Sequence, residues 1–188
     1  MSSKQKKIKL NISRKLLIII NLLCLVLCTT SCVSGYLQYT NTIKRLYNEN
    51  AYVIGDIVLN ELDGDQISRY TKTWEEDAEY ADMKQYLDDF VWNADIEYLF
   101  IVVPDDNGTI RYVYDSAGMK IGETDKIVKF QDDIMEIFTT GENGRSNYFV
   151  RKSPKYGYMT SAILPVKDSG GTTVALLSID IAMNLIIY

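Results

Sequence analysis

An aspartate, Asp180, stands inside the otherwise apolar run Thr172 to Ile181. If the run is a strand, Val174, Leu176, Ser178 and Asp180 share one face, and Ala175, Leu177, Ile179 and Ile181 share the other. The second set is wholly apolar and is expected to pack beneath a helix. The first set turns polar toward its end, where the carboxylate can cap a helix beginning near Ala182 by accepting a backbone N–H. Other residues with chemistry to offer are few. The chain has no histidine, which removes imidazole-activated nucleophiles and the commonest zinc ligand. It also lacks the glycine-rich spacings that cradle phosphates. Paired acids, Asp105-Asp106 and Asp132-Asp133, fall in a turn and on a helix, where solvated carboxylates are ordinary. A carboxylate-based hydrolase would need two of them across one cleft. The expectation is a protein that is not an enzyme and carries no cofactor and no metal.

The elements that must position these residues begin with an anchor. Lys4, Lys6, Lys7, Lys9, Arg14 and Lys15 precede Leu16 to Leu37, a run of 22 residues without a charge. At helical rise that run spans roughly 33 Å, enough to cross a bilayer. The positive-inside rule keeps residues 1–15 in the cytoplasm and places the chain after about residue 40 outside. A cleaved signal peptide, with Cys32 lipidated, is the alternative, but its apolar core would run only about 7–15 residues. Cys24, Cys28 and Cys32 all lie in this segment on one helix face, so the remainder has no disulfide. That remainder holds 14 cations against 25 acids. Such a surface repels nucleic acid, which is excluded as a partner.

Beyond the anchor, Tyr36, Thr40, Ile43, Tyr47, Asn50, Ile54 and Ile57 recur at steps of four and three. This stripe predicts a long helix that packs on its own domain, pairs with a second copy, or does both on different faces. Asp65 is expected to cap a short helix through Gln66 to Lys72. A second helix is expected over Glu75 to Val91, with Tyr80, Met83 and Leu87 facing inward. From Ile96 the period becomes two. IEYLFIVVP, the turn DDNG and TIRYVYD form a hairpin whose Asn107-Gly108 suits positive φ. A helical stretch over Asp125 to Phe138 follows, then strands over Asn147 to Arg151, Tyr158 to Val166 and Thr172 to Ile181. The sum is an α+β domain with about five mostly antiparallel strands and flanking helices.

In this order, LDGD, IEYLFIVVPDDNGTIRYVYD and KYGYMTSAILPVKDSGGTTVALLSIDI resemble the Cache sensor domains of bacterial receptors. These are PAS-like extracytoplasmic modules of chemotaxis receptors, sensor kinases and diguanylate cyclases. The resemblance implies a transmembrane helix over 16–37, a sensing domain over 38–182, and an exit helix starting at 183–188, with the chain ending before a second crossing and an output module. It implies a small-molecule ligand in a cavity on the sheet face opposite the long helix, and a homodimer through the membrane-proximal helix. An aspartate matching Asp180 can hold a ligand's amine in this family, so Asp180 has both a capping and a ligand-binding reading. Tyr112, Tyr114, Tyr148, Arg151, Tyr158 and Ser161 are the other expected wall residues, tyrosines being aromatic bodies with a polar tip. The Arg-x-Trp-Tyr cluster of the amino-acid-binding branch has no match here. Arg151-Lys152 stands where relatives often carry an acid, which points toward a carboxylate-bearing ligand.

Overall fold

The computed structural model describes residues 12–94, 96–127, 129–145, 149–154 and 157–183. The chain divides into two units, one through Thr42 and one from Ile43 onward. Helix α1 (Ile12–Glu61) supplies the first unit. By length and composition it is apolar enough to cross a membrane, and its large apolar side chains from Leu16 to Leu37 are exposed.

In the second unit the rest of α1 is followed by α2 (Gly64–Thr73), α3 (Ala78–Asn93), β1 (Tyr98–Pro104), β2 (Thr109–Asp115), β3 (Thr124–Lys126), α4 (Gln131–Thr140), β4 (Phe149–Ser153), β5 (Gly157–Lys167) and β6 (Thr173–Met183). This is the expected α+β order, with corrections at the element ends. Asp63, not Asp65, caps α2, accepting from the backbone N–H groups of Asp65 and Gln66. Asp65 accepts instead from the Ser169 N–H at 2.9 Å. Gly64 can open the helix there because a Cβ would lie 1.8 Å from the Lys167 carbonyl oxygen. Helix α3 starts later than expected, at a cap formed by Asp77, whose carboxylate accepts from the Tyr80 N–H at 2.8 Å.

Among the described residues the sheet has six strands in the order β3-β2-β1-β6-β5-β4, and every neighbouring pair is antiparallel. The unexpected strand is β3. Thr124 pairs with Arg111 and Lys126 with Thr109, so the start of the expected helix over Asp125 to Phe138 is an edge strand and α4 begins only at Gln131. Two hairpins close with the same device. Asp105 accepts from the N–H groups of Asn107 and Thr109, and Asp168 accepts from those of Gly170 and Thr172. In each turn the glycine three residues on, Gly108 or Gly171, has positive φ, which a residue with a Cβ adopts only at a cost. Asn107 does not share that conformation.

Each face of the sheet carries its own apolar cluster. On one, Ala51, Tyr52 and Val58 of α1 pack with Ala162, Leu164, Leu177 and Ile179. The helix comes close at Gly55, where a Cβ would meet Leu164 at 2.6 Å. The other cluster gathers Val102, Tyr112, Ile163 and Leu176 beneath Ile137 of α4.

Candidate functional site

Strand parity decides what reaches the second face. On β6, Ala175, Leu177, Ile179 and Ile181 join the α1 core as expected, while Leu176, Ser178 and Asp180 turn to the opposite side and line a cavity. Directly paired residues share a face. Ser161 lies opposite Asp180 and Ile163 opposite Ser178, Phe149 lies opposite Ser161, and Phe100 lies opposite Ser178. All six strands contribute to the wall, and Ile127, Lys129, Phe130 and Ile134 line it as well. The cavity holds about 380 Å³, within the range of small-molecule sites. Its walls are mainly apolar, with Phe100, Val102, Ile110, Phe130, Phe149 and Leu176 among them. Phe130 sits in the left-handed region at φ 62°, uncommon for a bulky residue, and its ring meets that of Phe149 edge-on at 5.2 Å.

Within the cavity lining, Arg151, Ser161 and Asp180 form a hydrogen-bonded cluster. Asp180 is 1 % exposed. Its Oδ1 accepts from the Ser161 hydroxyl at 2.5 Å, and its Oδ2 accepts from Nη2 of Arg151. Burial pushes the Asp180 carboxyl above its ordinary range, against the opposing pull of the Arg151 charge and the hydrogen bonds from Ser161 and Arg151. Beside it, the Tyr112 phenol is pushed up to about 12 by burial, with nearby carboxylates adding to the rise and Arg151 opposing it.

Of the expected wall residues, the structure brings Tyr112, Arg151, Ser161 and Asp180 together around this cavity. Tyr114 goes elsewhere. Alternation places it beside Tyr112, but Ile101 pairs with Tyr114 while Val102 pairs with Tyr112, so Val113 has no partner of its own. This bulge reverses the alternation. It sends Tyr114 into the α1-side core, where its hydroxyl donates to Asp88 of α3 at 2.6 Å. Tyr158 shares the parity of Ala162 and Leu164, and does not line the cavity. Tyr148 lies outside the described residues. The capping reading of Asp180 also fails, because Ala182 and Met183 continue β6 rather than open a helix. The rest of the expected exit helix, 184–188, is outside the described residues.

Sequence reasoning missed Lys126, Lys129, Phe149 and Ser178 as wall residues and used Lys152 only as a hint of charge. All five line the cavity. The alternation of β6 already contained the signal for Ser178. Lys126 and Lys129 were hidden by the expected helix over that stretch.

No family model matches the chain, and no curated protein matches it. Among solved structures it is similar to the ligand-binding domain of the Campylobacter jejuni chemoreceptor Tlp3 in complex with L-valine. There the identity is 13 %, covering 81 % of this chain and 62 % of that one, with a TM-score of 0.41. It is also similar to the periplasmic domain of RsbU from Chlamydia trachomatis, at 14 % identity, 81 % and 56 % coverage and a TM-score of 0.39. The chain therefore spans less than two thirds of the length of these structures.

Proposed function

We propose that residues 38–182 form the extracytoplasmic small-molecule sensing domain of a membrane-bound bacterial signal-transduction receptor, tethered by a transmembrane helix over 16–37 with residues 1–15 in the cytoplasm. The observation that carries this reading is the cavity: all six strands wall it, and its mainly apolar lining includes the buried Ser161 and Asp180 joined to the half-exposed Arg151. A site of that kind holds a small molecule by burying its apolar surface and orienting its polar group. The order of sequence motifs shared with Cache domains supports the same role, which is binding and not catalysis. Tyr112, Arg151, Ser161 and Asp180 form the proposed site.

The receptor further pairs as a homodimer along α1. Leu46, Val53 and Ile57 are 62 %, 50 % and 49 % exposed. With Asn50 they form an outward stripe at steps of four and three, the spacing of a coiled-coil seam.

The test of sensing is a thermal-shift screen of the full chain in nanodiscs against a panel of small metabolites, repeated on Ser178→Phe, which fills the cavity from β6. A ligand stabilises the state it binds, so hits should raise the Tm of the wild type and fail on the filled variant. Hits of equal size on both proteins would remove the cavity from the proposal.

A further inference from the structure

Two buried side chains on the cavity wall carry hydroxyls that nothing else in the protein engages. Tyr112 and Ser178 are 9 % and 7 % exposed, both line the cavity, and neither hydroxyl has a hydrogen-bond partner among the described residues. Among those residues no side-chain oxygen is sealed from solvent without a partner, so these two oxygens open onto the cavity they line. Ser161 is the contrast, its hydroxyl already donating to Asp180 at 2.5 Å.

The charges facing the cavity balance. Asp125 lies opposite Ile110 and shares its face, whereas Lys126 lies opposite Thr109 on the other face. Lys152 lies opposite Tyr158, with its Nζ 5.8 Å from the centre of that ring, so its side chain also points away although the residue borders the cavity. Lys129 and Arg151 then stand against Asp125 and Asp180, and Arg151 and Asp180 are joined to each other. An incoming ammonium would have to displace the guanidinium from a carboxylate that water does not reach. An incoming anion at the outer donors of Arg151 would lie beside the carboxylate that already neutralises it. An ion of either sign thus gives up its hydration for little attraction.

An uncharged polar group avoids that cost. A hydroxyl both donates and accepts, so Tyr112 and Ser178 can meet an amide from both of its ends. Phe100 links the two in the wall: it lies opposite Ser178, and its ring meets that of Tyr112 edge-on at 6.4 Å. With Phe130 and Phe149 it gives the lining an aromatic character that suits a flat aromatic body.

We infer that the cavity takes an uncharged aromatic molecule bearing an amide-like hydrogen-bonding group, held by the hydroxyls of Tyr112 and Ser178. This inference rests on the sensing role proposed above and names the ligand class for it.

Four probes of similar shape test it: 3-phenylpropanamide, 3-phenylpropanoate, 3-phenylpropylamine and the zwitterion phenylalanine. Each is titrated by calorimetry at neutral pH into the full chain in nanodiscs, in the wild type and in the variants Tyr112→Phe and Ser178→Ala, which each remove one hydroxyl oxygen. The amide should bind, and the acid, the amine and the zwitterion should each bind at least about tenfold more weakly, because each carries charge that the cavity leaves unmatched. Each hydroxyl variant should lose about two- to tenfold for the amide, the loss expected for one hydrogen bond between neutral groups, with its circular dichroism unchanged. Added salt should leave the amide's affinity unaltered. Any charged probe binding as tightly as the amide, or either hydroxyl variant keeping full affinity for it, would overturn the assignment and leave the sensing role intact. Failure of all four to bind also overturns it. In that case the metabolite panel decides the wider reading, which survives on any hit that Ser178→Phe abolishes and falls without one.

Discussion

Asp180 illustrates how one side chain's charge state is set by opposing influences. Its burial favours the neutral acid, while Arg151 and Ser161 favour the carboxylate, and burial prevails. The folded state therefore holds the proton more tightly than the unfolded chain does. Stability from this source is complete below the unfolded pKa of about 3.9 and is lost as pH rises through the folded value. Asp180→Asn keeps one acceptor oxygen for Arg151, turns an N–H toward the Ser161 hydroxyl oxygen, and cannot titrate. Its urea midpoint relative to wild type should thus climb as pH rises above about 4, a range starting at the unfolded carboxyl's own pKa. Asp180→Ala should instead cost roughly 1–3 kcal/mol at neutral pH, because it removes both bonds and leaves Arg151 unmatched. A wild type that gains on Asp180→Asn with rising pH would show that the Arg151 attraction outweighs burial.

Helix α1 has two faces within the second unit, and they differ from the stripe expected from the sequence. Tyr47 and Ile54, members of that stripe, pack against the domain's own core. Ile57 and Asn50 stay outside with Leu46 and Val53, so the outward seam keeps two members of the expected one and is rotated from it by roughly 50° of helix. Leu46→Glu with Val53→Glu should therefore abolish the proposed dimer, measured by crosslinking in nanodiscs, and leave the Tm of the domain nearly unchanged. Crosslinking at the wild-type level would discard this seam. Ile54→Glu, by contrast, should unfold the domain, since it would bring a charge into the α1-side core.

For the molecule as a whole, tyrosine burial supplies an observable of global folding. The chain has 14 tyrosines, and burial pushes the phenols of Tyr52, Tyr80 and Tyr112 up to about 12. Tyr114 is raised further in the same direction by burial and its bond to Asp88. Each raised phenol stabilises the fold fully below its unfolded value near 10, and that stability is lost as pH rises through the folded value. Absorbance titration should show two phases. Exposed tyrosines ionise first, and the buried group follows together with loss of the circular dichroism of the sheet, between pH 10 and about 12 for Tyr52, Tyr80 and Tyr112. A single phase centred near pH 10, with the sheet intact, would contradict the packing of both clusters.

The sequence by itself determined what short-range patterns encode. The apolar run of α1, the Asp-to-Gly turns at Asp105 and Asp168, the inward and outward sets of β6 and the placement of Asp180 opposite the helix face were all legible, because helix and strand periods are local. Tyr112, Arg151 and Ser161 were expected as wall residues through the resemblance to Cache domains, and they line the cavity. What only the tertiary structure decided depends on which strand lies beside which. The bulge at Val113 that turns Tyr114 away exists because β1 pairs with β2 in a shifted register. Edge strand β3 forms because Thr124 to Lys126 find β2, overriding the helical pattern of that stretch. The meeting of residues from β3 and β4 around one cavity follows because both edges of the sheet contribute to its wall. No spacing along the chain records that meeting, since long-range pairing, and not local periodicity, brings distant residues to one surface.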